Sequence, residues 1–249
     1  MMRTIAVLLS LSAVLHAQTG SMFDVASIRP AVHPVPPGGI NALPGGGIRV
    51  ENMTLKAFIA FAWRLQPFQV SGGPRWVDSE YFDIVAKSAD DPAAKNKELL
   101  EMLQSLLVNR FSLSFHYESR EAGYYELTEA SNKIAPGLTP ATDGNCATAG
   151  EENRCNSLHF ADGEIYATAI SAQALAETIA RLEERVVVDK TKLSGRYNVK
   201  LEWASKERPD MPRPSIFTAM QEQLGLKLES RRGPVKILVI DKAERADNN

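Results

Sequence analysis

Asp78, Glu80 and Asp83 follow Trp76 closely in the chain. Two carboxylates flanking a glycosidic bond can act as acid and base, or as acid and nucleophile. In a turn before a strand, however, Asp78 and Ser79 more often bond to local backbone. The stretch from Gly72 to Tyr81 is still the best choice for a functional segment. It joins a Gly-Gly-Pro turn to an aromatic residue, and loops carry binding residues out of proportion to their length. Trp76 there reads in two ways. It is a platform for a small ligand or a polysaccharide, or it plugs the core beneath the turn.

Arg120, Arg231 and Arg232 stand near two expected hairpin turns, where they would suit an acidic partner or simply be solvated. The tentative binding set is therefore Trp76, Asp78, Glu80, Arg231 and Arg232. His33 and His159 fall in expected loops and His116 on the polar face of a strand, so each reads as a surface residue. Cys146 and Cys155 lie nine positions apart in one loop. Outside the cytoplasm such a pair is expected to form a disulfide. With His159 as the nearest further ligand, the pair matches no zinc pattern. The sequence contains no Gly-x-Ser-x-Gly elbow, no His-Glu-x-x-His and no Gly-x-x-x-x-Gly-Lys-Ser/Thr. No catalytic residue and no cofactor is expected.

These residues belong to a chain of 249 with 44% hydrophobic and 23% charged residues, ordinary for a globular protein. A net charge of −2, with no basic run longer than Arg231-Arg232, argues against nucleic acid as a partner. Met1-Met2-Arg3 and the apolar run Ile5 to Leu15 read as a signal peptide ending near Ala17. No later run is long enough to span a bilayer. The expectation is a secreted or periplasmic protein with no membrane span after processing.

The positioning elements are expected to be α+β. Phe23 to Ile28 alternates like a strand, and the proline- and glycine-rich stretch from Pro30 to Gly47 reads as loop. Thr54 caps a helix whose apolar face is Leu55, Phe58, Ile59, Ala62 and Leu65. Tyr81 to Lys87 is a strand. A second helix ends near Asn109 with Leu99, Met102, Leu103, Leu106 and Leu107 inward. Leu113 to Leu127 reads as a hairpin.

Residues 131–163 read as a linker, and then the order recurs. Glu164 to Thr168 is a strand, and Ser171 caps a helix with Leu175, Ile179 and Leu182 inward. Arg196 to Leu201 is a strand, and Ser215 caps a helix with Phe217, Met220 and Leu224 inward. Leu224 to Ile240 reads as a second hairpin turning at Arg232-Gly233-Pro234. Thr54 and Ser171 are 117 positions apart, Asp83 and Asn198 are 115 apart, and the two Glu-Ser-Arg runs are 111 apart. A fixed order with slipping loops suggests a duplication. Two similar β-α-β-β-α-β-β units, 22–130 and 164–249, are expected.

Phe23 to Pro30, Ser71 to Glu80, Val188 to Thr191 with Leu193 and Gly195-Arg196-Tyr197, and Leu224 to Asp241 together resemble an uncharacterised family of soil-associated secreted bacterial proteins. That family has no assigned activity, so the resemblance implies a compartment and carries over no functional residue. The element order, most clearly Ser171 to Val188 and Phe217 to Ile240, is similar to the short N-terminal domain of secretins and TonB-dependent receptors. That resemblance implies docking against envelope proteins. The expected role is non-catalytic docking or ligand binding in the bacterial cell envelope, with an envelope protein as partner. The alternative is a secreted hydrolase using Asp78, Glu80 and Asp83.

Overall fold

Two hydrophobic cores lie at the two ends of one long β-ribbon. The computed structural model describes residues 23, 25–32, 38–43, 47–87, 96–130, 135–141, 157–206 and 208–246. The expected signal peptide, His33, Cys146 and Cys155 lie outside the described residues.

The first core is built on an antiparallel sheet of order β1-β5-β3-β2, from Val25–Pro30, Tyr81–Lys87, Gly47–Thr54 and Gly39–Leu43. Two helices cover it, α1 (Leu55–Ala62) and α3 (Asn96–Arg110), with a single turn α2 (Trp76–Ser79) before β5. Thr54 Oγ1 accepts from Ala57 N at 3.2 Å, which fixes the start of α1. Phe58, Ile59, Leu103, Leu107 and Phe111 are buried in this core. Each such side chain is worth about 1.5–3 kcal/mol of burial.

The second core is built on an antiparallel sheet of order β7-β11-β9-β8: Leu138–Pro140, Tyr197–Glu202, Glu164–Ile170 and Ser157–Ala161. Helix α4 (Ala172–Glu183) packs on it through Leu175, Ala176, Ile179 and Ala180. Ser171 Oγ caps α4 by accepting from Ala174 N at 3.1 Å.

The ribbon is β6 (Ser114–Glu129) paired antiparallel with β12 (Leu226–Lys242). It replaces both expected hairpins. Gly233 pairs with Ala122 and Pro234 with Glu121, in the middle of the ladder. A two-residue hairpin turn needs a residue with positive φ; Gly233 is not in the left-handed region. The residue before a proline prefers extended backbone, so Gly-Pro sits comfortably in the strand. Short strands flank the ribbon in parallel. β4 (Val70–Gly72) pairs with Leu238–Ile240, and β10 (Val187–Asp189) pairs with Tyr125–Leu127.

Three smaller expectations also change. Gly39–Leu43 is a strand within the stretch read as loop, because its five residues contain no proline and pair with β3. The expected linker supplies β7 and β8 to the second sheet. In the last helix, α5 (Ile216–Ala219), Ser215 caps as expected, but Phe217 is 39% exposed. A π-type turn over Met220–Leu224 shifts the phase, so Ile216, Ala219, Met220 and Leu224 take the inward positions.

Candidate binding surface

The Gly72 to Tyr81 segment is held by the first core. Gly72 and Gly73 both have positive φ, 77° and 76°. Their turn brings Trp76 against Phe82 (6.1 Å, edge-on) and Phe111 (6.4 Å, stacked). Arg245 lies 5.2 Å from the Trp76 ring centre. Trp76 is thus a half-buried wedge whose ring is already in contact with Phe82, Phe111 and Arg245.

The three carboxylates are engaged separately. Asp78 pairs with Lys56 at 2.9 Å. Glu80 takes both Nε and Nη2 of Arg245, at 2.9 and 2.5 Å. That hydrogen bond from Arg245 holds the Glu80 carboxyl below the usual carboxylate range, against a small opposing effect of burial. Asp83 Oδ1 accepts the backbone N–H of Asn52 at 2.8 Å. Each of the three thus has a partner of its own: Lys56, Arg245 and the Asn52 backbone.

The ribbon separates the arginines by face. Residues directly opposite each other in an antiparallel ladder share a face, and alternate residues along a strand share a face. One face carries His116, Glu118, Arg120, Glu126, Glu229, Arg231 and Asp241, and its charges are matched. Arg231 bonds Glu126 (3.0 Å) and Glu229 (2.5 Å), and Arg120 bonds Glu118 (2.8 Å). His116 spans the strands, with Nδ1 2.8 Å from Asp241 and Nε2 3.3 Å from Glu118. The Asp241 hydrogen bond, then that of Glu118, raises the His116 pKa above its ordinary value.

The opposite face meets both cores at its ends and is exposed between them. In order along β6 it carries Phe115, Tyr117, Ser119, Glu121, Gly123, Tyr125 and Leu127. Facing these are Ile240, Leu238, Lys236, Pro234, Arg232, Ser230 and Leu228. Ser119, Glu121, Gly123, Arg232, Pro234 and Lys236 are all exposed. Lys236 Nζ lies 3.6 Å from the centre of the Tyr117 ring. At the other end Arg185 lies 4.9 Å from the Tyr125 ring centre and donates from Nη1 to the Tyr125 hydroxyl at 3.2 Å. Phe217 meets Tyr125 edge-on at 5.5 Å.

Arg185 also reaches the middle of the ribbon. A Cβ placed on Gly123 would lie 3.6 Å from its guanidinium carbon, and Gly123 is paired with Arg232. Arg232, Arg185 and Lys236 therefore share one face, and none has an ion pair with a carboxylate among the described residues. Among the paired residues of the ribbon, Glu121 is the one carboxylate on the central part of this face.

Of the residues singled out in the sequence, only Arg232 belongs to this surface. Trp76, Asp78 and Glu80 lie at the first core, Arg231 is on the opposite face, and His159 lies on β8. Arg185, Lys236, Tyr117 and Tyr125 were not legible as a set. Arg185 follows the end of α4, and its partner ring is sixty residues earlier. Only the parity of the unbroken ladder brings them to one side.

No helix among the described residues is long and apolar enough to cross a membrane. No curated protein and no solved structure matches the chain. A family model described as "Protein of unknown function (DUF3738)" matches residues 56–243, from the first turn of α1 to the end of the ribbon; it takes in the second core, the candidate surface and the helices of the first core but not β1, β2 and β3, and the chain belongs to that family.

Proposed function

We propose that the protein is a non-catalytic docking protein of the bacterial cell envelope, and that its exposed ribbon face receives an acidic, extended segment of a partner protein. The envelope assignment rests on the signal-peptide pattern of residues 1–17. The observation that carries the docking role is the contrast between the two ribbon faces. One has its arginines matched by Glu118, Glu126 and Glu229, while on the other Arg185, Arg232 and Lys236 make no ion pair with a carboxylate among the described residues, and Glu121 leaves their charge in excess. Tyr117 and Tyr125 hold two of these cations in place, which lowers the ordering cost of binding an anion. Arg232 and Lys236 are four residues apart on one strand, about 13 Å at the rise of a strand. An extended peptide with carboxylates on alternate residues matches that spacing.

Fluorescence anisotropy with a labelled glutamate-rich decapeptide tests the reading. Arg232→Glu should weaken binding at least tenfold, and added salt should weaken the wild type. Arg231→Gln, on the opposite face, should change it less than twofold. Equal losses in the two variants, or binding by anionic vesicles but not by the peptide, would overturn it.

A further inference from the structure

We infer that the two halves of the chain are pseudo-two-fold copies that exchange strands, so that each core is completed by the other half and the protein folds as one interlocked unit. The repeat is centred on the ribbon. Ala122 and Gly233 face each other at its centre and are 111 positions apart, the same offset as the two Glu-Ser-Arg runs. Glu118 faces Ile237, and Glu229 faces Glu126. The offset of the two Glu-Ser-Arg runs thus puts the centre of the repeat at the middle of the ladder.

Local features repeat between the two halves. Asn52 and Ala169 both have positive φ, 53° and 56°. Each stands two residues before a helix cap, Thr54 or Ser171. Asn52 N donates to Asp83 Oδ1 (2.8 Å) and Ala169 N to Asn198 Oδ1 (3.1 Å), each acceptor on the neighbouring strand. Ala169 is fully buried and has no side-chain reason to adopt a left-handed backbone. A shared bulge before a shared helix start accounts for it. At the other end of these helices, Arg64 and Glu184 take positive φ, 54° and 50°. The next residue in each case donates back, Leu65 N to Ala60 O and Arg185 N to Ala180 O. Ser112 and Gly225, also with positive φ, open β6 and β12.

The exchange follows from where each strand ends. The first part of β6 places Phe115 against the first core, and its last part places Leu127 in the second. The first part of β12 places Leu226 in the second core, and its last part places Leu238 and Ile240 in the first. The flanking strands obey the same rule. β4 of the first half pairs with β12, and β10 of the second half pairs with β6. Their registers differ by two residues, since Val70 faces Leu238 while Val187 faces Tyr125. Neither half keeps a complete core, or a paired flanking strand, without the other.

Hydrogen exchange on the full chain, read by mass spectrometry without any ligand, tests this independently of the docking surface. Ile59→Val loosens the first core and Ile179→Val the second; both positions are fully buried. Conservative Ile→Val changes leave the fold intact and speed global opening several-fold. In an interlocked unit the slowest amides of β5 and β11 accelerate by the same factor in each variant, because both exchange through one global opening. Acceleration confined to the core that carries the substitution would overturn the inference.

Discussion

Gly233→Ala separates a continuous ribbon from a C-terminal hairpin. Gly233 is buried at the centre of the ladder, opposite Ala122, and is not in the left-handed region. An added Cβ would meet Tyr124 Cε1 at 3.4 Å, an ordinary contact with the side of a ring. The substitution then acts mainly on the unfolded chain, which loses the freedom of glycine. The expected gain is about 0.4–1 kcal/mol, or about a two- to fivefold change in the folding equilibrium. If Arg232-Gly233-Pro234 were a turn requiring positive φ, alanine would instead cost about 1–2 kcal/mol. Denaturation in guanidinium reads the difference directly, as a midpoint shift at unchanged slope. A midpoint that falls by the equivalent of 1 kcal/mol or more refutes the ribbon.

Gly72→Ala should do the opposite. Its φ is 77° and an added Cβ would lie 2.8 Å from Ile240 O, so a loss of more than about 1 kcal/mol is expected in the same assay. Asp83→Ala strands the backbone N–H of Asn52 and should cost about 1–3 kcal/mol, whereas Asp83→Asn keeps an acceptor, as Asn198 does in the other half, and should cost far less. His116 should titrate by NMR above the ordinary value of about 6.5 and move back toward it in Asp241→Asn. Because its folded pKa is raised, the stability it adds is fully present below about pH 6.5 and is lost as pH rises through the folded value. A stability gain on raising pH through that window, absent in His116→Gln, would contradict the pairing with Asp241 and Glu118.

Helices and their starts were legible because their determinants are local. Thr54 and Ser171 accept the N–H three residues on, and Met102, Leu103, Leu106 and Leu107 are buried as their spacing implied. Of the resemblances, the coarse one, to an uncharacterised family, agrees with the family model. The hairpins misled because Arg232-Gly233-Pro234 carries turn residues, while whether the chain turns there depends on a partner strand 111 positions away. Phe217 misled because the π-type turn changes the helical phase after it. At the site, Trp76 and its neighbouring carboxylates attracted notice by type. Their charges are used up locally, by Lys56 and Arg245. The cations left over are found only by tracing the ladder, since an exposed lysine and two arginines scattered from 185 to 236 carry no pattern in one dimension.

The most direct measurement is an NMR map of the glutamate-rich decapeptide on the isotopically labelled full chain. The account predicts that the largest shifts fall on residues 117–125 and 230–236, together with Arg185, and that the Arg120 and Arg231 side-chain signals stay in place. Shifts centred on Trp76, Asp78 and Glu80, or on the charge-matched face of the ribbon, would contradict it.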